Sequence, residues 1–256
     1  MTAVKDTLAS IPGEHNYIYV RTPLGEDEEK NYDEITFYDG LGRELDFAQS
    51  YGADRAGAIM AHHHLIEYDS LGRKEKQWLS TNTSFSYMSP EDLKGGVLWD
   101  YHDAGKRSYL QTNYESSPLN RITEQYGVGD AWGDHPARME YLTNIPADSL
   151  RCSFYFIDDN DSLIRRGDYR SGELQVTKAT DEDGKPTYTF VDKQGRTLLT
   201  RLGRGNQQAD TYFVFDRFGR IRYVLPPMIN DEISAGNLDL YAYQYLYDSF
   251  GRCISK

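Results

Sequence analysis

Apolar and polar residues alternate in several short stretches of this chain. TYTFV (187–191), TYFVF (211–215) and YAYQYLY (241–247) have the period of two expected of β-strands with one buried face. Each runs into the same kind of hexapeptide: VDKQGR (191–196), FDRFGR (215–220) and YDSFGR (247–252). Two more copies stand earlier, YDGLGR (38–43) and YDSLGR (68–73). Composition alone would give about 0.15 copies of Asp-x-x-Gly-Arg, too few for the five to be a chance match.

Turn chemistry accounts for the letters. Asp at the first position of a type I turn accepts bonds from the amides that follow, and Gly at the fourth takes the left-handed conformation of a G1 bulge. The pattern predicts hairpin turns at 39–42, 69–72, 192–195, 216–219 and 248–251, each with a positive-φ glycine. Arg then opens the outgoing strand, where its guanidinium can bond a turn carbonyl or lie over the aromatic ring across the hairpin. The intervals between Asp192, Asp216 and Asp248 each hold two strands joined by a loop, 203–210 and 226–237. The result is an antiparallel meander. DEDGK (181–185) reads as a degenerate sixth copy, turning at the opposite edge.

Between Asp69 and Asp181 the repetition is irregular, with an insertion region over about 80–180. Ser89 and Pro90 in SPEDLKGG (89–96) predict an N-capped helical turn. KRSYLQTNYE (106–115) and RITEQYG (121–127) predict a hairpin turning at SSPLN, and RCSFYFIDD (151–159) a strand ending in an acidic turn. Residues 1–15 read as a flexible tail ahead of one continuous β domain, 16–256. The chain stops three residues into an outgoing strand and reads as a piece of something longer.

Composition agrees with β-structure: 21 Tyr, 10 Phe and 3 Trp make the chain 13% aromatic, and Tyr suits half-buried strand faces. A net charge of −12 disfavours nucleic acid and anionic membrane surfaces as partners. No apolar run is long enough to span a bilayer, and the first residues lack the apolar stretch of a secretory signal. Cys152 and Cys253 show no CxxC pattern and read as two free thiols rather than a disulfide.

Candidate chemistry is sparse. His62 and His64 would share a strand face, as a zinc pair needs, but no third ligand follows from the sequence, and a solvated face is the simpler account. DDNDS (158–162) has the alternating oxygens of a calcium loop, but Leu163 stands where its Gly belongs and the twelfth-position Glu is missing, so it reads as an acidic turn. No Gly-x-Ser-x-Gly, papain-like Cys motif or phosphate loop occurs. Trp78, Trp99 and Trp132 could stack on sugars, although cross-strand packing explains such residues more often. No residue is assigned a catalytic, cofactor-binding or metal-ligating role.

The repeated motif resembles that of the bacterial YD-repeat, or RHS-repeat, proteins, related in repeat type to the teneurin shell and the toxin-complex cocoon. NYESSPLNR (113–121) and GVGDAWGDHPARMEYLTN (127–144) are similar to the domain that opens the repeat region of large YD proteins in Bacteroidetes. The resemblance covers about 16–256. It implies a curved sheet or part of a β-shell, built with the remaining repeats of the same longer chain and enclosing a C-terminal domain or displaying a surface outside the cell. The self-cleaving Asp-Pro-x-Gly segment of that family is not in this sequence. A structural shell segment and a carbohydrate-binding surface module are the two expectations, with a hydrolase third. A secreted or cell-surface location follows from the resemblance alone.

Overall fold

The computed structural model describes residues 15–24, 31–53, 59–203, 208–229 and 233–256. The expected tail, His15 apart, lies outside them, as do the middles of the 203–210 and 226–237 loops. The chain divides into two compact units, one ending at Pro136 and one beginning at Ala137.

In unit 1 the strands are β1 (Asn16–Pro23), β2 (Asn31–Tyr38), β3 (Glu44–Ala53), β4 (Ile59–Tyr68), β5 (Lys74–Trp78), β6 (Thr81–Ser84), β7 (Tyr109–Tyr114) and β8 (Ile122–Tyr126). They run antiparallel in the order β1-β2-β3-β4-β5-β7-β8, with β6 also paired to β4. Alternation works as anticipated: Asp33, Ile35 and Phe37 of β2 face inward, while their neighbours are half-exposed. Ile35, Phe37, Ala48, Ala61 and Phe85 form the apolar core.

A helix, α1 (Pro90–Asp100), adds Leu93 and Val97 to the buried residues. The expected helical turn is there, and it continues for 11 residues. Ser89 caps it by accepting from the Asp92 amide, and Pro90 takes the first helical position, where no amide is needed. Gly96 lets α1 close on β6, since a Cβ there would lie 2.7 Å from Thr81 Oγ1.

Unit 2 contains β9 (Ala137–Thr143), β10 (Ser153–Ile157), β11 (Leu163–Asp168), β12 (Gln175–Thr180), β13 (Pro186–Val191), β14 (Thr197–Leu202), β15 (Ala209–Phe215) and β16 (Ile221–Leu225). It continues with helix α2 (Ala235–Tyr241) and the short strands β17 (Tyr243–Gln244), β18 (Leu246–Tyr247) and β19 (Cys253–Ser255). The sheet order is β9-β12-β13-β14-β15-β16-β17, all antiparallel. β10–β11 and β18–β19 are separate hairpins. Phe190, Leu199, Val176, Val214 and Leu225 centre the core, and Cys152, Tyr155 and Leu163 pack onto it from the β10–β11 side. Each such fully buried side chain contributes roughly 1.5–3 kcal/mol of transfer free energy.

One expected strand is corrected. YAYQYLY is not a single strand, because Ser234 accepts from the Asn237 amide and starts α2, which runs to Tyr241. Local capping outweighs the period-two pattern, and strand pairing resumes only at Tyr243. The 226–237 loop is likewise not featureless: it contains the 3-10 turn Pro227–Ile229 and the first residues of α2.

Candidate functional site

The five turns form as the motif dictates. Gly42, Gly72, Gly195, Gly219 and Gly251 have φ between 77° and 80°. In the first copy Asp39 Oδ1 accepts from the amides of Leu41 and Arg43, both at 2.9 Å, while Oδ2 accepts from Arg43 Nε at 2.7 Å. The other four copies repeat this set. DEDGK turns at the end of the sheet opposite the 192–195 turn, with Gly184 at φ 79°.

Two further copies escaped the sequence reading. Asp158 makes the same amide bonds to Asn160 and Ser162, with Asp161 at φ 65° in the glycine position. Glu115 and Arg121 form a bidentate pair at 2.7 Å across a turn two residues longer, with Asn120 at φ 54°. Asp and Asn tolerate the left-handed region better than other side chains, so these substitutions keep the turn but hide the motif.

The arginine's second partner is the finding that gives the repeat a purpose. Its guanidinium lies over the aromatic ring of the following copy rather than, as the sequence suggested, over the ring across its own hairpin, and Arg220 also approaches Phe218 of its own turn at 5.0 Å. Arg43 covers Tyr68 at 4.5 Å, Arg73 covers Tyr114 at 4.6 Å, Arg196 covers Phe215 at 5.0 Å and Arg220 covers Tyr247 at 4.7 Å. Continued to the turns, the strand registers of all four pairs bring arginine and ring opposite each other. Where the ring is Tyr, its hydroxyl donates to the carbonyl after the arginine: Tyr68 to Glu44, Tyr114 to Lys74, Tyr247 to Ile221. Each Arg therefore closes its own turn through Asp and grips the next strand through the ring, a ladder of nearest-neighbour contacts.

Electrostatics follow the geometry. At Asp39 and Asp248 the amide of the following Arg, with its guanidinium, holds the carboxyl below its ordinary range. At Asp69, Asp192 and Asp216 burial is the largest single influence and pushes upward, but the amide and guanidinium bonds together outweigh it. Glu115 is lowered to about 2 by Arg121 and Ser117.

Between β9 and β12 the chain departs from the sheet at Asn144, which is buried and ties the two ends of the excursion together. Its Nδ2 donates to the Arg170 carbonyl, and its Oδ1 accepts from the Leu174 amide. The β10–β11 hairpin this creates is held on the sheet by buried arginines. Arg201 pairs with Asp210 and donates to the carbonyls of Ser149 and Arg151; Arg222 pairs with Asp161 at the hairpin's tip. A cleft of about 340 Å³ runs beside it, lined by Phe154, Phe156, Tyr169, Phe213, Phe215 and Arg217 among others.

His62 and His64 are half-buried on the outer face of β4, and desolvation lowers the His64 pKa. Among the described residues no three His, Cys, Asp or Glu side chains gather into a potential metal cluster. The histidine that matters structurally is His63, which is fully buried. Its Nδ1 lies 2.7 Å from Asp46 Oδ2, and its Nε2 donates to the Ser84 carbonyl at 3.0 Å. Since a carbonyl only accepts, Nε2 is the donor to Ser84. Asp46 stands 17 residues away on the neighbouring strand, diagonal to His63, and no local motif announces the pair.

Cys152 is buried, Cys253 is exposed, and both are free thiols. Trp78 packs on Tyr109 and donates to Glu67, whereas Trp99 is 82% exposed on α1 and Trp132 is 45% exposed. No helix among the described residues is long and apolar enough to cross a membrane.

A family model described as a domain of unknown function, DUF6443, matches residues 16–143. No curated protein matches the chain. Among solved structures, the crystal structure of TcdB2-TccC3-Cdc42 is similar with a TM-score of 0.56, covering 93% of this chain at 14% identity. That of TcdB2-TccC3 has a TM-score of 0.55, with 94% covered at 14% identity. At this identity the likeness is one of fold, and the chain spans only 11% of the length of each of those chains.

Proposed function

This chain belongs to the DUF6443 domain family, and from that membership and the ladder we propose that it is a non-enzymatic structural segment of a larger YD- or RHS-repeat protein of the Bacteroidetes type. The observation that carries the proposal is the coupling of Arg43, Arg73, Arg196 and Arg220 to the ring of the next repeat. It uses the repeat's recurrent polar residues to lengthen a sheet. The fold shared with TcdB2-TccC3 supports the same reading. In this proposal the segment forms part of the wall of a β-shell. Its partners are the remaining repeats, with a C-terminal domain enclosed by the wall, and the whole protein is exported or held at the cell surface.

Electron cryomicroscopy of the complete protein tests this. We expect the sheets of residues 16–256 to run on into neighbouring hairpins as one wall. A free-standing domain tethered by a linker overturns the proposal. Protease accessibility on intact cells tests the location, and a glycoside, ester and peptide hydrolase panel tests the absence of activity.

A second reading, a carbohydrate-binding surface, is favoured by one observation: Trp99 presents its ring to solvent, as a sugar-stacking platform does. A glycan array with native protein and Trp99→Ala separates the two readings. Binding lost in the variant supports the surface module, and no binding by either protein supports the wall.

A further inference from the structure

The β10–β11 hairpin carries a tripeptide that the wall does not use. Residues 166–168 read Arg-Gly-Asp. Composition alone gives such a tripeptide about 0.15 times, so the letters carry little and their presentation decides. Among the described strands β11 pairs with β10 alone, which makes it an edge. Ser153 pairs with Asp168 and Tyr155 with Arg165, leaving Arg166 and Gly167 opposite Phe154 as a bulge. Gly167 has φ 69°, and a Cβ there would meet nothing within 4 Å. Arg166, Gly167 and Asp168 are all exposed.

The two charges of the tripeptide are less engaged than their neighbours. Arg165 donates to Ser153 and Asp168, and Arg222 holds Asp161 at the hairpin's tip. Among the described residues Arg166 has no hydrogen-bond or ion-pair partner. Asp168 Oδ1 accepts from Ser153 Oγ and Arg165 Nη2, both at 3.4 Å, while Oδ2 accepts from no described residue. The backbone that follows is pinned. The Tyr169 amide donates to the Cys152 carbonyl, and Asn144 Nδ2 donates to the Arg170 carbonyl.

We propose that Arg166-Gly167-Asp168 is a docking tripeptide for one kind of partner: a receptor protein that takes the carboxylate on a divalent cation and the guanidinium on its own carboxylates. Charge complementarity selects that partner. Asp168 Oδ2 is an open, hard oxygen ligand, and Arg166 offers an unpaired fork of donors. Gly167 puts no side chain between them. Holding the tripeptide on a fixed bulge lowers the ordering cost of binding. The role rests on the exported location proposed above, and the wall itself does not need it. A competing account is that a bulge and an arginine on an edge strand deter edge-to-edge pairing. That task needs charge, but no set spacing between guanidinium and carboxylate.

The test uses the purified chain over immobilised ectodomains of the integrins of animal cells that read Arg-Gly-Asp, with manganese ion present. We expect saturable binding that chelation of the metal abolishes and a soluble Arg-Gly-Asp peptide competes away. Arg166→Lys and Asp168→Glu keep both charges, so edge protection is retained while the spacing changes. Each should weaken binding roughly tenfold or more. Hydrogen exchange in β10 and β11 checks the fold of both variants. If Asp168→Glu loosens the hairpin, Arg166→Lys decides alone, since Arg166 has no described partner to lose.

No binding by the native chain overturns the proposal and leaves the charges as edge protection. So does binding that survives chelation, or binding that a folded variant retains in full. With purified protein the location does not enter the result. Protection from protease on intact cells would remove the exported reading, whereas failed binding removes only the tripeptide's role.

Discussion

In unit 1 a helix packs on β4 and β6, and the buried residues include the hydrogen-bonded pair His63–Asp46 alongside a small apolar cluster. In unit 2 the cover is the β10–β11 hairpin, pinned by Arg201 and Arg222 over a larger apolar core. The Asp–Arg turns are the same in both. The difference separates two tasks that one repeat cannot do alone. The turn lengthens the sheet and couples neighbours, while non-repeated segments supply whatever closes its inner face. In unit 1 the buried polar groups are a His–Asp pair joining β3 to β4, and in unit 2 they are arginines that hold the hairpin.

The sharpest way to break unit 1 is His63→Leu, which leaves Asp46 buried without its partner. We expect a loss of about 3–5 kcal/mol, as for other broken buried pairs. Hydrogen-exchange protection should fall in β3 and β4 while that of β13 and β14 holds. Replacing Asp46 by Leu as well should recover part of the loss, because two apolar groups leave nothing unsatisfied. Loss of protection in both units together would show that their covers are not separate devices.

Unit 2 should be most sensitive at Arg201. Its side chain is 3% exposed but that of Asp210 is 24% exposed, so Arg201→Met leaves one carboxylate able to rehydrate and costs less, about 2 kcal/mol. The hairpin should loosen first, seen as faster proteolysis at the 158–162 turn. Unchanged cleavage would mean that the apolar contacts of Tyr155 and Leu163 hold it unaided.

The turn itself can be tested inside a single copy. Gly42→Val forces a β-branched residue into positive φ, with an expected cost of about 1–3 kcal/mol. At Gly40, where a Cβ meets nothing within 4 Å and no positive φ is required, the same change should stay within about 0.5 kcal/mol. Equal unfolding midpoints would contradict the turn assignment.

These tests also mark what the sequence could and could not reveal. Turn positions, glycine conformations and the Ser89 cap were legible, because each depends on residues within a few positions of one another. His63–Asp46 was not, since it depends on which strands pair and in what register. The arginine's ring was misplaced for the same reason: Tyr68 lies 25 residues beyond Arg43 and becomes its neighbour only after β3 and β4 align. The turns at SSPLN and at 158–162 were anticipated, but their kinship with the repeat was hidden by Asn120 and Asp161, residues that reproduce glycine's conformation without its letter. Tyr241 to Tyr247 had the right period for a strand but lay next to a stronger helix cap at Ser234. No site residues were assigned in advance, and the ladder became visible only from the strand registers.

A smaller, graded effect is expected with pH. Unfolded, the turn carboxylates ionise at ordinary values, 3.8 for Asp and 4.5 for Glu. In the fold Asp39, Asp69, Asp192, Asp216 and Asp248 lie lower, and Glu115 lies at about 2. Lowered folded values mean that the stabilisation is complete above the ordinary range and is lost as pH falls through the folded values. His64, held below its ordinary value of 6.5 by burial, should begin to lower the circular-dichroism unfolding midpoint as pH falls through that value, and the turn carboxylates should steepen the decline below about pH 5. For Glu115 the loss should be complete near its folded value of about 2. With Glu115→Gln, that part of the acid limb should flatten.

The central claim is that each arginine couples its hairpin to the next through the ring opposite it. A double-mutant cycle on Arg43 and Tyr68 tests it most directly, using urea unfolding of the native chain, Arg43→Ala, Tyr68→Leu and the double variant. Removing Arg43 also removes its bonds to Asp39, but that loss appears in both arms of the cycle and cancels. We predict a coupling energy of about 0.5–2 kcal/mol between the two side chains, the range of a partly desolvated cation–π contact. Strictly additive effects would contradict the ladder.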